Sequence, residues 1–175
     1  TLDRLQVTES IVLRNFKGAF QSNNGLTGNF TGRLNGKGAL SGQTIPRNGR
    51  TAVQIKSRNA GATISDAGLL KNANEGAMTL NLTPRAGAGE YDGSLEITNL
   101  RLRDAPPALA LLSAASGIGL LEQLDGQGLV FTDVNSRFRI TPKTIVITEG
   151  SAVGPSLGLS VDGYYDVASK QLDMQ

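Results

Sequence analysis

The feature that most constrains the fold is an uncharged segment in the second half of the chain. Residues 105–121 contain no Asp, Glu, Lys or Arg. Asp104 can cap a helix start, Pro106 fits the first turn, and Gly126 suits the position just beyond the end. The sequence therefore predicts one apolar α-helix at about residues 105–124. Because its side chains are apolar on most sides, a sheet, a partner or lipid must cover it.

The same segment is short for a transmembrane helix. Its uncharged part has about 17 residues, whereas a bilayer span needs about 20. Gly117 and Gly119 weaken its middle by a further ~1 kcal/mol each relative to alanine. We therefore expect the helix to pack on the concave face of a curved sheet as part of the core, or to plug the end of an apolar groove. A contact with a partner or a membrane surface is the third alternative.

The rest of the chain has the pattern of antiparallel β-strands. Leu26, Phe30 and Leu34 share one side of a strand with glycines, while the residues between them are polar. Asn35-Gly36 is typical of a hairpin turn. We predict a mainly β fold, built on a curved antiparallel sheet or groove that is taco-like or sandwich-like.

Two shifts in the alternation predict irregular points in the strands. The apolar residues up to Leu13 occupy odd positions, whereas Phe16 and Phe20 occupy even ones. A second shift precedes Leu100 and Leu102. Each shift indicates a β-bulge or a strand that crosses from one sheet to another.

A second, short helix is predicted near residues 66–73. Ser65 or Asp66 would cap it, and Leu69 and Leu70 would be buried. No charge block or linker divides the chain, and Ala60 is the best candidate boundary. We expect residues 1–175 to be a single β-rich domain, or a fragment of a longer protein.

The composition excludes several kinds of chemistry. The net charge is only +2, and the 17 basic residues are scattered with few aromatic residues between them, so we expect no nucleic-acid partner. There is no Cys and no His, which excludes thiol chemistry and removes the commonest general base and metal ligand. We expect no metal and no cofactor.

Two pairs of carboxylates are candidates for acid–base catalysis. Glu122 and Asp125 flank the end of the predicted apolar helix, and Asp162 and Asp166 flank two tyrosines. A hydrolase acting on glycans would need such a pair held about 5–10 Å apart. We interpret the first pair as charges at a helix end and the second as turn residues, so we do not expect an enzyme.

Three patches of sequence resemble one known family. They are SDAGLLKNANEGAMTLNL (65–82), the segment that begins LEITNLRLRDAPPALALLSAASGIGLLEQLDG (95–140) and GPSLGLSVDGYYDVASKQLDMQ (154–175). In this order, around the same predicted helix, they are similar to the AsmA-like C-terminal domain. The resemblance covers about residues 60–175.

This resemblance implies a Gram-negative envelope protein of the AsmA/TamB/YhdP type. Such a protein is anchored in the inner membrane, and the apolar groove of its periplasmic β-rich body conducts phospholipid to the outer membrane. We therefore expect a non-enzymatic, periplasmic lipid-binding and lipid-transport module whose anchor lies outside this chain. Its expected partners are phospholipid acyl chains, with the membrane surface or other envelope proteins as further partners. The alternative is a structural domain that scaffolds outer-membrane assembly.

The predicted lipid-binding residues are apolar positions on the helix and on the neighbouring strands. Small residues beside them should leave room for an acyl chain. The residues are Leu109, Leu112, Ser116 and Leu120 on the helix, and Leu95, Ile97, Leu129, Phe131, Leu157 and Leu159 on the strands.

Overall fold

The computed structural model describes residues 1–7, 11–22, 25–35, 38–103, 128–155, 157–166, 169 and 171–174. Within these residues the chain is almost entirely β-strand, with one short helix, α1 (Ala60–Asp66). The strands are β1 (Leu2–Gln6), β2 (Val12–Ser22), β3 (Leu26–Leu34), β4 (Gly38–Arg47), β5 (Arg50–Ser57), β6 (Ala73–Asn74), β7 (Ala77–Pro84), β8 (Tyr91–Leu102), β9 (Leu129–Ile140), β10 (Thr144–Val153), β11 (Gly158–Asp166) and β12 (Gln171–Met174).

The strands form one open, curved antiparallel sheet. Each strand pairs with the next along the chain, except that β5 pairs with β7 and the two-residue β6 pairs with β8. The sheet therefore continues across the candidate boundary at Ala60. The prediction of a mainly β, curved antiparallel fold is confirmed, and the described strands build one sheet, not two facing ones.

Cross-strand register separates the side chains into two faces. Residues directly opposite each other point to the same side of a sheet. One row of the apolar face runs through Phe30, Gly42, Ile55, Leu80, Leu95, Ser136, Gly150 and Val161. One row of the polar face runs through Lys17, Thr31, Ser41, Lys56, Thr79, Glu96, Asn135, Ser151 and Ser160.

The predicted irregular points occur where the alternation shifts. The pairing of β2 with β3 changes register between Arg14 and Lys17, and Asn15 there has a left-handed backbone (φ 50°). Asn99 is also left-handed (φ 55°), and the buried side of β8 changes from odd to even positions beside it. Asparagine tolerates this conformation because its short side chain causes little steric conflict. A third bulge, between Ile147 and Glu149 of β10, was not predicted.

The prediction of a short helix near residues 66–73 is wrong in position, because α1 ends where that helix was expected to begin. Asn59, and not Ser65 or Asp66, is the N-cap, and its side-chain oxygen accepts a hydrogen bond from the Ala62 amide at 2.9 Å. Gly68 follows the helix with a φ of +77°, a conformation that ends helices. Leu69, expected to be buried, is therefore 75% exposed, and Leu70 is half-buried.

Two clusters of buried side chains lie on the apolar face, and α1 contacts both. Ile64 of α1 belongs to the larger cluster, and Ala67, just after the helix, packs against the smaller one. The larger cluster is Ala60, Ile64, Ala73, Met78, Ile97, Leu100, Leu102, Leu129 and Phe131, and the smaller is Leu13, Leu34 and Leu40. The predicted apolar helix at about 105–124 lies outside the described residues.

Candidate functional site

The apolar face brings together the predicted lipid-binding residues that the structure describes. Leu95, Ile97, Leu129, Phe131, Leu157 and Leu159 all belong to the larger cluster or pack against it. They come from β8, β9 and β11 and from the residue just before β11. The other four predicted residues, Leu109, Leu112, Ser116 and Leu120, lie outside the described residues.

These six residues differ in how accessible they are to a ligand. Ile97, Leu129 and Phe131 are only 3–4% exposed, so they form the core beneath any bound molecule. Leu95, Leu157 and Leu159 are half-buried and keep part of their surface accessible. Among these six described residues, the surface that a ligand could contact therefore belongs mainly to Leu95, Leu157 and Leu159.

The half-buried part of the apolar face extends well beyond the predicted residues. It includes side chains that the analysis of the sequence did not assign to the site, although their period-two spacing was the signal for them. Register places them on the same face as Phe30 and Leu95, either in the same row or in the two neighbouring rows. They are Leu80, Leu82, Phe138, Ile140, Ile145, Ile147 and Val161.

Phenylalanine rings occupy part of the space that the glycines of this face leave. Phe30 lies directly opposite Gly42, and Phe138 directly opposite Gly93. A Cβ atom at either glycine would overlap the opposing ring, so each ring lies across its glycine. This covering of strand glycines by aromatic rings stabilises a sheet. At these two positions, the room expected for an acyl chain is already filled.

The polar face carries a chain of side-chain hydrogen bonds across four strands. Gln43 Nε2 donates to Gln54 Oε1 at 3.1 Å, Gln54 Nε2 donates to Asn81 Oδ1 at 2.8 Å, and Asn81 Nδ2 donates to Ser94 Oγ at 3.2 Å. All four groups are partly buried. This series of hydrogen bonds fixes the orientations of the side-chain amides, so this part of the polar face is an ordered array of donors and acceptors.

Two surface depressions lie on this polar face. The first, of about 510 Å³, is lined mainly by polar side chains of β2–β5, including Lys17 and Lys56. The second, of about 470 Å³, is lined by residues of β8–β11, including Arg137 and Glu149. Of the six predicted lipid-binding residues that the structure describes, only Leu95 borders either of these two depressions.

The candidate catalytic carboxylates show no shared cleft in the described structure. Asp166 Oδ1 accepts hydrogen bonds from the amide and the hydroxyl of Ser169, at 2.7 and 2.8 Å, which is the geometry of a turn residue. Asp162 is exposed on the polar face. Glu122 and Asp125 lie outside the described residues.

Asp92 is the carboxylate that the local electrostatics perturb. Hydrogen bonds from Arg85 and then from Arg139 hold its pKa below the ordinary value of 3.8. Their nitrogens lie 2.8 and 3.2 Å from its oxygens. Both arginines are partly exposed, so this cluster is a surface ion-pair network that joins β8 to β9 and to the residue after β7.

Within the described ranges, no three acidic side chains converge to form a metal site. Nowhere in that part of the chain does a helix have the length and apolar character needed to cross a membrane. Comparison of the chain with protein-family models, curated proteins and solved structures found no match.

Proposed function

We propose that this chain is a non-enzymatic lipid-handling module whose apolar sheet face holds the acyl chains of a phospholipid. The single observation that supports this most is a set of half-buried aliphatic and aromatic side chains, interspersed with small residues, on one face of the sheet from β3 to β11. Within the described residues only α1 packs on this face. Contiguous exposed apolar surface of this kind is typical of a binding site.

The proposal assigns two roles to the apolar face. Near α1 the side chains are buried and hold the sheet in its curved shape. Toward the hairpins that follow β7 and β9, the side chains of Leu82, Phe138 and Ile145 are half-buried and would contact the ligand. Acyl chains need no hydrogen-bond partner, so a face with few polar groups suits them.

The predicted helix at about 105–124 would be the second wall of this site. It would start just after β8 and end just before β9, beside Leu102 and Leu129, which are paired and buried. The proposal places its apolar residues Leu109, Leu112 and Leu120 against the same face. Together with the resemblance, this supports phospholipid transfer to the outer membrane by a periplasmic module of an inner-membrane-anchored protein.

A crosslinking experiment tests this function with two adjacent positions on opposite faces. Ile147 lies on the apolar face and Val146 on the polar face, and both are β-branched and half-buried. A photoreactive amino acid at position 147 should crosslink to phospholipid in cells and in vesicles, while the same residue at 146 should not. Equal crosslinking at both positions, or none at 147, would contradict the proposal.

Mass spectrometry of the purified chain provides an independent readout. Native spectra and organic extracts should contain phospholipid, and Leu80→Asn should lower its amount severalfold because it places an amide among apolar side chains. Thr79→Asn, on the opposite face of the same strand, is the matched control and should retain the lipid. Capture of a protein on an apolar face without lipid would favour the scaffolding alternative.

A further inference from the structure

Charge is distributed unevenly along this chain. Between residues 10 and 65 there are eight lysines and arginines and no aspartate or glutamate. Because the net charge of the whole chain is only +2, the remaining residues carry a net negative charge. The basic residues look scattered in the sequence, but the acidic residues that would balance them are absent from this region.

The fold places these basic residues on one face. Those in the described strands β2–β5 all lie on the polar face, since their register partners are polar-face residues. They are Arg14, Lys17, Arg33, Arg47, Arg50 and Lys56. The positive charge of the first five strands is therefore collected on the side opposite the proposed lipid site.

Several of these cations are directly opposite one another. Arg4 pairs with Arg14, and Arg14 pairs with Arg33, so three guanidinium groups follow one row across β1, β2 and β3. Arg47 likewise pairs with Arg50. Cations directly opposite one another concentrate positive charge along this row.

In the second half of the sheet, ion pairs offset the arginines. Arg137 contacts Glu149 at 3.0 Å, and Arg139 contacts Asp92 at 3.2 Å. The guanidinium of Arg50, in contrast, donates to the backbone carbonyls of Arg85, Ala86 and Gly87, which carry no net charge. The positive charge of Arg50 is thus held in place without being neutralised by these contacts.

The depression on β2–β5 has a mixed lining. Lys17 and Lys56 lie in one polar row with the hydroxyls of Thr31 and Ser41. The amides of Asn29, Gln43 and Gln54 form the next row, and none of the described residues that line the depression is acidic. Ammonium groups attract carboxylates, sulfates and phosphates, while amides and hydroxyls hydrogen-bond sugar hydroxyls.

We propose that this depression and the adjoining arginine row bind an anionic polysaccharide. The concave shape favours a chain-like ligand over the flat surface of a bilayer. Phe30 is the one aromatic residue among the described residues that line the depression, and its ring packs against Phe16 and Phe20 on the apolar face. A single ring that is already packed in this way is not a stacking platform for successive bases. The site is independent of the lipid site because it uses the opposite face.

Binding measurements on the full chain test this site. The probes are an oligogalacturonate and a heparin oligosaccharide, with a neutral maltooligosaccharide as the uncharged control, titrated at low and physiological salt. The chain should bind at least one anionic probe, more tightly at low salt, and should not bind the neutral one. The double variant Lys17→Gln/Lys56→Gln should weaken that binding by about tenfold.

The matched control is Lys71→Gln/Lys143→Gln, which removes the same charge from two exposed lysines outside the depression. It should bind the anionic probe almost as tightly as the unmodified chain. An equal loss in the two double variants, or no binding of either anionic probe, overturns the proposal. Tighter, Lys17- and Lys56-dependent binding to phosphatidylglycerol vesicles or to duplex DNA overturns it in favour of a membrane or a nucleic acid. The lipid content of Lys17→Gln/Lys56→Gln should equal that of the unmodified chain, because both lysines lie on the face opposite the lipid site.

Discussion

In strands β2–β4 three neighbouring phenylalanine rings pack together on the apolar face, whereas in strands β7–β9 this face is built mainly from buried aliphatic side chains and Phe131, packed near α1. Phe16, Phe20 and Phe30 have ring centroids 5.7–6.3 Å apart. In the second region Ile97, Leu100 and Phe131 are nearly inaccessible to solvent. The same alternation of sequence therefore produces two different kinds of packing.

The difference shows that alternation sets which face is apolar but not how well that face is covered. In the first region three buried leucines form the core, and Phe20 and Leu26 remain exposed. In the second, buried residues from α1 and from β6–β9 share one cluster. We therefore expect the second region to be the more stable of the two.

The largest expected effect compares one phenylalanine from each region. Phe131→Ala removes a buried ring and should lower the free energy of unfolding by about 3–5 kcal/mol. Phe30→Ala removes a half-buried ring and should cost less than half as much, since less apolar area leaves contact. Denaturant unfolding monitored by circular dichroism measures both. Equal losses would show that the two regions are packed alike.

The next prediction tests the close approach of α1 to β6. A Cβ atom at Gly61 would collide with the backbone of Asn74, which cannot rotate away. Gly61→Ala should therefore destabilise the protein by about 1–3 kcal/mol. Gly158→Ala is the matched control, because nothing lies within 4 Å of a Cβ atom there. A stable Gly61→Ala variant would mean that α1 does not hold the second region together.

A smaller effect is expected at the helix start. Asn59→Ala removes the hydrogen bond from the Ala62 amide and should cost about 1 kcal/mol. Ser65→Ala, at the cap that the sequence predicted, should leave the thermal unfolding midpoint almost unchanged. A larger loss of stability for Ser65→Ala than for Asn59→Ala would show that the helix begins near residue 65, as the sequence predicted, and not at Asn59.

The smallest effect concerns the ion-pair network of the second region. Because the pKa of Asp92 is lowered in the folded state, its contribution to stability is present above its ordinary pKa of 3.8 and is lost as the pH falls through the folded-state value. The stability difference between the wild type and Asp92→Asn should therefore shrink below about pH 4. Asp162→Asn, an exposed residue of the same face, is the control. If the stability difference between the wild type and Asp92→Asn did not change with pH, the ion pairs of Asp92 would not be its source.

Some elements were predictable because they depend on neighbouring residues alone. The alternation through Leu26, Phe30 and Leu34 predicted a one-sided strand, and the shift at Phe16 predicted the bulge near Asn15. The position of α1 was not predictable in this way. Residues 60–66 suit a strand about as well as a helix, and the fit of Gly61 against Asn74 favours the helix only once both elements are in place.

The candidate site, too, was predictable from the sequence only in part. Spacing was sufficient to assign Leu95, Leu157 and Leu159 to one apolar face, and all three lie on or beside the larger cluster. Spacing could not show which apolar residues are buried and which remain accessible, because that depends on what packs above them. It also did not show that Lys17 and Lys56 share a polar row, since residues 39 positions apart meet only through strand pairing.

By itself, the sequence determined that this protein is an antiparallel β structure with one apolar and one polar face, because side chains alternate with period two along a strand. Only the tertiary structure decided the order of the strands, the burial of each part of the apolar face and the gathering of positive charge on one surface. These properties arise from contacts between residues far apart in the chain, which no local pattern specifies.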